Sequence, residues 1–491
     1  MFFSEEMRMR LRVFIIVLAA LLLGSVACAL AEEAATPNSE LPTPRWQDVA
    51  VHDPSIIKAD DGYYYIYGSH MAAAWSEDLI KWKLISRDAT NGGCTLVTEV
   101  QTEMKEALSY AKTNTFWAPD VIQLADGRYY MYYCTCQGSS PLSTLGYAVS
   151  DRPEGPYENL GIILRSGQPG YNANSLPNVI DPCLFYDKED RLWMVYGSYS
   201  GGIYILEMNV NTGLPLPGQM NGGYGKKLLG GYHARIEAPY IMYSPDTDYY
   251  YLFLSFGGLA QNDGYNIRVC RSKNPDGPYE DALGQNMIRC AGRPGTFFND
   301  PDYEPYGVKL MGGYEFMPLP ADKNKFTQAM RSPGHNSAYY DEETGRYFLV
   351  FHTRFGNTGE AFSVRVHQMY MTADGWPVVA PMRYAGEMPE VIPEEKMPGV
   401  YKVLLHGRDI NKVEHESQVM TLNADGTVTG DLTGTWACAD GVNVTMTLEG
   451  ISYTGVMHTA LEAGQKNWAT CISAIDETGA ALWAVRGLVQ E

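Results

Sequence analysis

His52-Asp53-Pro54-Ser55-Ile56, then Asp60-Asp61-Gly62, then Tyr63-Tyr64-Tyr65-Ile66-Tyr67: this stretch decides the fold, because it comes back four more times. Each copy is a short motif and apolar strand, a turn rich in Asp, Glu and Gly, and an aromatic strand. The second copy is Trp117-Ala118-Pro119-Asp120-Val121, Asp126-Gly127 and Tyr129-Tyr130-Met131-Tyr132. The third is Ile180-Asp181-Pro182-Cys183-Leu184, Glu189-Asp190 and Leu192-Trp193-Met194-Val195-Tyr196. The fourth is Glu237-Ala238-Pro239-Tyr240-Ile241, Asp246-Thr247-Asp248 and Tyr249-Tyr250-Tyr251-Leu252. The fifth, Gly334-His335-Asn336-Ser337-Ala338, leads through Thr344-Gly345 to Tyr347-Phe348-Leu349-Val350-Phe351.

Aligned at Pro54, Pro119, Pro182, Pro239 and Asn336, the copies lie 65, 63, 57 and 97 residues apart. The first three intervals suit four short strands with their loops, which is one propeller blade. The fourth holds an insertion that includes the turn-rich stretch Gly292–Pro305, where Asp300-Pro301 reads as a turn because no strand and hairpin follow it. The expected fold is all-β: a five-bladed β-propeller over residues 48–385, followed by a small β-barrel or sandwich over 400–491. Residues 386–399, rich in Pro and Glu, read as a linker.

Arg8, Arg10 and Arg12, the apolar run Val13–Leu23 and Ala29-Leu30-Ala31 read as a signal peptide over residues 1–31, with an N-terminal linker over 32–47. Export implies a secreted or extracytoplasmic protein, with no membrane contact once the signal is removed. A lipoprotein anchor on Cys28 is the weaker alternative, since Ser25 sits where such a signal prefers Leu. The net charge of −20 disfavours nucleic acid and other polyanions as partners. Eight cysteines follow the signal with no zinc spacing, and no disulfide pairing can be read from them. A monomer is expected.

In a propeller the innermost strand of every blade lines a central channel, so equivalent positions converge on one axis. That places Asp53, Asp181 and Glu237 around one pocket. A lone Asp-Pro is usually a turn. Here the second and fourth copies carry Ala before the proline, so Asp is no structural requirement of the repeat. As an ordered set, His52-Asp53-Pro54, Trp117-Ala118-Pro119-Asp120, Ile180-Asp181-Pro182, Ile236-Glu237-Ala238-Pro239-Tyr240 and Gly334-His335-Asn336-Ser337 resemble glycoside hydrolase family 43. Within it they are most similar to the endo-α-1,5-L-arabinanases.

The resemblance implies hydrolysis of internal α-1,5-linkages in arabinan, or another arabinose-containing plant polysaccharide, with inversion. Asp53 would then be the general base for a water, Glu237 the general acid, and Asp181 the residue that holds Glu237 and keeps its pKa high. It also implies a calcium ion in the channel beside His335, held largely through water. The residues themselves nominate three substrate contacts: Trp117 at the channel mouth, Asn178 just before the third motif, and Arg354 at the end of the fifth hairpin. Competing readings are an exo-acting arabinofuranosidase or β-xylosidase of the same family, a fructan-cleaving propeller, and a non-catalytic sugar-binding propeller. The fructan reading lacks its Asn-Asp-Pro-Asn opening.

Overall fold

The computed structural model describes residues 36–138 and 141–488, so the signal read over 1–31 lies outside the described residues. The chain falls into two units, Met1–Pro42 and Thr43–Glu491. The described part of the first contains a 3-10 turn at Asn38–Glu40.

The second unit contains the five blades. Four are antiparallel four-stranded sheets whose innermost strands are Ser55–Lys58, Trp117–Gln123, Cys183–Tyr186 and Ile236–Ser244. The fifth starts from Met330–Asp341 and has six strands, because Tyr314–Glu315 and His415–Glu416 add to its inner edge. The insertion lies between the third and fourth strands of blade 4, Asn266–Ser272 and Val308–Met311. Asp300–Asp302 forms a 3-10 turn within it.

The repeat folds this way because its turn chemistry and its strand chemistry agree. In blade 1, Gly62 takes φ +84°, which a side chain would resist, and closes the hairpin that pairs Ile56 with Ile66. Asp61 accepts from the Tyr63 N–H at 2.9 Å and from the Tyr65 hydroxyl at 2.7 Å. Asp126 does the same for Arg128 N–H and the Tyr130 hydroxyl in blade 2. The acidic turn residue therefore fixes the hairpin, and the aromatic strand beyond it fills the space between blades. Tyr67, Tyr133 and Tyr251 are fully buried there.

Among the described residues, no strand is shared between the first and last blades. The ring closes by side-chain packing, with Ile56, Ile66 and Trp82 in one apolar cluster with Phe348, Val350 and Val364. The Ser337 hydroxyl donates to Pro54 O at 2.7 Å and Val364 N–H to Val49 O at 3.0 Å. Asp120 links three blades. It accepts from the Ser55 hydroxyl of blade 1 and from Leu184 N–H of blade 3, and burial pushes its carboxyl up to about 6.

The C-terminal strands close into an eight-stranded barrel running from Gly399–Leu405 to Ala481–Arg486. Its wall is continuous with the propeller core: fully buried Trp483 meets Tyr314 edge-on at 5.0 Å and packs in one cluster with Met330 and Leu349. The stretch 386–399 is packed rather than free. Ile392 and Met397 sit in the barrel core, and Ile392 N–H donates to Gly441 O. Its Pro and Glu texture marks irregular backbone, but two buried apolar side chains tie it down. The barrel thus buttresses blades 4 and 5. All eight described cysteines are free thiols.

Candidate active site

The inner strands of blades 1, 3, 4 and 5 share one local device. Asp53, Asp181, Ala238 and His335 all have left-handed backbone, with φ of +58°, +57°, +56° and +44°. Such a conformation costs a non-glycine residue about 1 to 2 kcal/mol. In blades 4 and 5 the kink coincides with breaks in strand register between Glu237 and Tyr240 and around Gly334. The strand is turned out of its ladder at the channel end, where the functional side chains leave it. Glu237 sits one residue before the kink, whereas Asp53 and Asp181 sit on it.

The three acids are buried, between 4% and 8% exposed, and interact with one another and with His335. Asp53 Oδ1 lies 2.8 Å from His52 Nδ1, 3.0 Å from His335 Nδ1 and 3.5 Å from His352 Nδ1, and Oδ2 accepts from the Ser69 hydroxyl. Burial works to raise its pKa, but His335 and His52 outweigh that and hold it well below the usual carboxylate range. Glu237 Oε1 accepts from the Tyr265 hydroxyl at 2.8 Å and Oε2 from the Ser198 hydroxyl at 2.9 Å. Burial nevertheless raises Glu237, and the nearby charge of Asp53 adds to it. Asp181 accepts from Ala238 N–H at 3.3 Å. Burial, then repulsion from Glu237 and Asp53, pushes it up to about 8 against the pull of His335. One carboxyl is thus held below the usual carboxylate range while its two neighbours are pushed above it, the division of labour that acid–base chemistry needs.

Sequence reasoning missed the hydroxyls that hold these acids. The signal was present: Tyr67-Gly68-Ser69 is echoed by Tyr196-Gly197-Ser198, each at the end of a second strand. A side chain at Gly68 would collide with His52 O, and one at Gly197 with Gly202 O, so only glycine lets the serine reach the channel there. Ser255 plays the matching part in blade 4, accepting from His335 N–H at 2.7 Å.

The nominated substrate contacts fall at different depths. Trp117 is half-buried on Cys134, Cys136 and Ile180, with its indole N–H on the Thr115 hydroxyl at 3.2 Å. Asn178 is buried, and its Oδ1 accepts from the Ser143 hydroxyl at 2.5 Å. Arg354 is also buried and lies behind the base: Nε pairs with Glu360 at 2.7 Å, and one amino group reaches His52 Nε2 at 3.4 Å. That bond leaves the His52 proton on Nδ1, facing Asp53. His52 and His352 stack at 3.9 Å between them.

Among the described residues, His52, Asp53 and His352 alone come within metal-ligand spacing of one another. Their polar atoms are already engaged, because Asp53 N–H donates to His352 Nδ1 at 3.2 Å and His52 Nδ1 faces the carboxylate. His335 is the other candidate. Burial works to lower its pKa, but Asp53, with Asp181 and Glu237 behind it, pushes the imidazole up to about 9. A groove of about 780 Å³ opens beside His52 and Ser69 and runs past His70, Trp82 and Phe362 to Arg87 and Asn91.

A five-bladed propeller with three acids gathered in its axial channel is the equipment of a glycoside hydrolase, which needs one carboxyl to give a proton and one carboxylate to act on the far side of the sugar. Comparison with known proteins narrows the class. The profile of glycosyl hydrolases family 43 matches residues 48–301, and that of a C-terminal lipocalin-like domain matches residues 381–484. The chain belongs to glycosyl hydrolases family 43. It is 50% identical over 447 residues to extracellular endo-α-(1→5)-L-arabinanase 2 of Bacillus subtilis, covering 90% of this chain and 93% of that one. It is 46% identical over 465 residues to the extracellular endo-α-(1→5)-L-arabinanase of Thermotoga petrophila, covering 91% and 95%. The crystal structure of the Thermotoga petrophila endo-1,5-α-L-arabinanase superposes with a TM-score of 0.85 over 91% of this chain and 100% of that one. A family 43 glycoside hydrolase of Bacillus licheniformis, 50% identical, superposes with a TM-score of 0.86 over 90% and 99%.

Proposed function

We propose that this protein is a secreted endo-α-1,5-L-arabinanase that cleaves internal bonds of arabinan with inversion. Asp53 takes a proton from a water as that water attacks the anomeric carbon. Glu237 gives its proton to the departing glycosidic oxygen. Asp181 bonds the backbone beside Glu237 and keeps a second negative charge from settling on the pair. The observation that carries this reading is the opposite setting of two buried acids in one channel: Asp53 between the His52 and His335 imidazoles, which lower its pKa, and Glu237 between two neutral hydroxyls, where burial raises it. Arg354 serves as a positioning residue through His52, and Asn178 braces the channel wall. Trp117 is retained as a stacking platform at the mouth.

A calcium ion belongs to the same proposal. The field that draws a proton onto His335 would draw a divalent cation, because three carboxylates face one imidazole. Calcium takes six to eight oxygen ligands, and the oxygens of Asp53 and Glu237 are engaged by Ser69, Tyr265 and Ser198. The residues would therefore fit an ion beside His335 that is held largely through water. Bound there, the ion would supply positive charge to steady the ionised carboxylates. Metal analysis of the purified enzyme should give one calcium per chain, and exhaustive chelation should lower both activity and melting temperature, reversibly. Absence of metal in a fully active preparation would exclude the ion.

Linear arabinan tests the substrate and the mode of attack together. Early products should be a spread of oligosaccharides with a rapid fall in viscosity, and xylan should be untouched. A single short product from the first minutes would show attack from chain ends instead.

A further inference from the structure

We infer that Phe297 and Phe298, on the insertion of blade 4, form a sugar-stacking platform that holds the arabinofuranosyl units beyond the first on the leaving-group side of the cleaved bond. The inference rests on the arabinanase reading and deepens it.

Phe297 is 63% exposed and Phe298 42%, an unusual outlay of apolar surface for a pair of adjacent aromatics. Their rings lie 4.1 Å apart. Phe298 meets Tyr199 at 5.5 Å, and Phe297 meets His233 at 4.7 Å. Tyr199 directly follows Ser198, whose hydroxyl donates to Glu237. The platform is therefore continuous with the residue that protonates the leaving oxygen, and it lies on the acid's side of the channel.

The loop is fastened to that side. Arg235, two residues before Glu237, pairs with Asp300 through Nε at 2.9 Å and with Asp263 at 3.1 Å. Arg235 N–H donates to the Tyr303 hydroxyl, and Arg293 pairs with Asp302 at 2.5 Å. His233 N–H donates to Ser200 O, and Gly292 N–H to Gly231 O. Phe298, Tyr199, Ser200, Tyr232 and His233 all have left-handed backbone. Phe298 itself and four non-glycine residues around the pair thus hold strained backbone, the mark of a surface shaped for a ligand. Furanose rings present C–H faces that stack on aromatic rings, and a polymer cleaved internally must continue past the acid on this side.

The test compares wild type, a Phe297→Ala/Phe298→Ala double variant, and a Phe297→Tyr/Phe298→Trp variant. Substrates are long linear arabinan and the shortest linear arabino-oligosaccharide that wild type cleaves. The double variant should show a rise of about tenfold in KM for the polymer, with kcat little changed and kcat/KM for the short substrate within about twofold. The aromatic variant should restore the polymer KM. An unchanged polymer KM in the double variant overturns the platform, and so does an equal loss on both substrates, which would mark a merely structural loop. A wild type that does not cleave arabinan overturns the arabinanase reading, and the platform with it.

Discussion

Replacing Glu237 by Gln should lower kcat on arabinan by about a thousandfold or more, since general acid catalysis by one side chain contributes about 10² to 10⁴. The amide is isosteric: its oxygen accepts from one of the Tyr265 and Ser198 hydroxyls and its NH2 donates to the other, so the melting temperature should hold. What it cannot do is give up a proton to the glycosidic oxygen. The loss should therefore depend on the leaving group. An aryl arabinofuranoside with an acidic phenol departs without help, and its cleavage should fall far less than that of arabinan. The pH profile carries the same signature. Wild-type activity should decline on the alkaline side as Glu237 loses its proton, and burial moves that pKa up. The alkaline limb should thus stand above the ordinary glutamate range, and it should vanish in Glu237→Gln. Retained turnover on arabinan in this variant would remove Glu237 from the chemistry.

Replacing Asp53 by Asn should cost about as much or more, with a different pattern. The water still needs a base whatever group departs, so arabinan and the activated aryl substrate should lose activity alike, by about 10³ to 10⁴. Asp53 is held ionised by His335 and His52, and no other described carboxylate shares that setting. Burial and its acidic neighbours push Asp181 up to about 8, the opposite of the setting that frees Asp53 to act as a base. A variant that keeps full activity on the aryl substrate would assign Asp53 to leaving-group protonation or to structure, and the roles would have to be exchanged.

Much of this was legible before any coordinates. The repeat could be read because hairpin and strand chemistry recur: Asp61 and Asp126 hold their turns in the same way, and the aromatic strands that follow are buried. The three acids could be read because Ala118 and Ala238 show that the repeat does not need Asp there. Other parts were hidden. Alignment at the prolines sets Ala238 level with Asp53 and Asp181, with Glu237 one residue earlier, but it does not show that this shared position is left-handed in all three blades. Backbone handedness at one residue leaves no trace in the composition of a strand. Arg354 read as a sugar contact because it ends a strand at the channel. Its buried place behind His52 depends on Glu360 and on two stacked imidazoles from different blades. Asn178 read as a sugar contact, and its partner Ser143 comes from the neighbouring blade. The packing of the stretch 386–399 was hidden for the same reason: what holds Ile392 and Met397 is a barrel core assembled from distant strands.

The central claim is that Asp53 directs a water onto the face of the sugar opposite to the bond that Glu237 releases. Proton NMR of the first product from linear α-arabinan, recorded before the new reducing end equilibrates, tests this directly. The account predicts that the newly formed hemiacetal appears as the β-anomer. Appearance of the α-anomer first would mean retention through a covalent intermediate, and would contradict it.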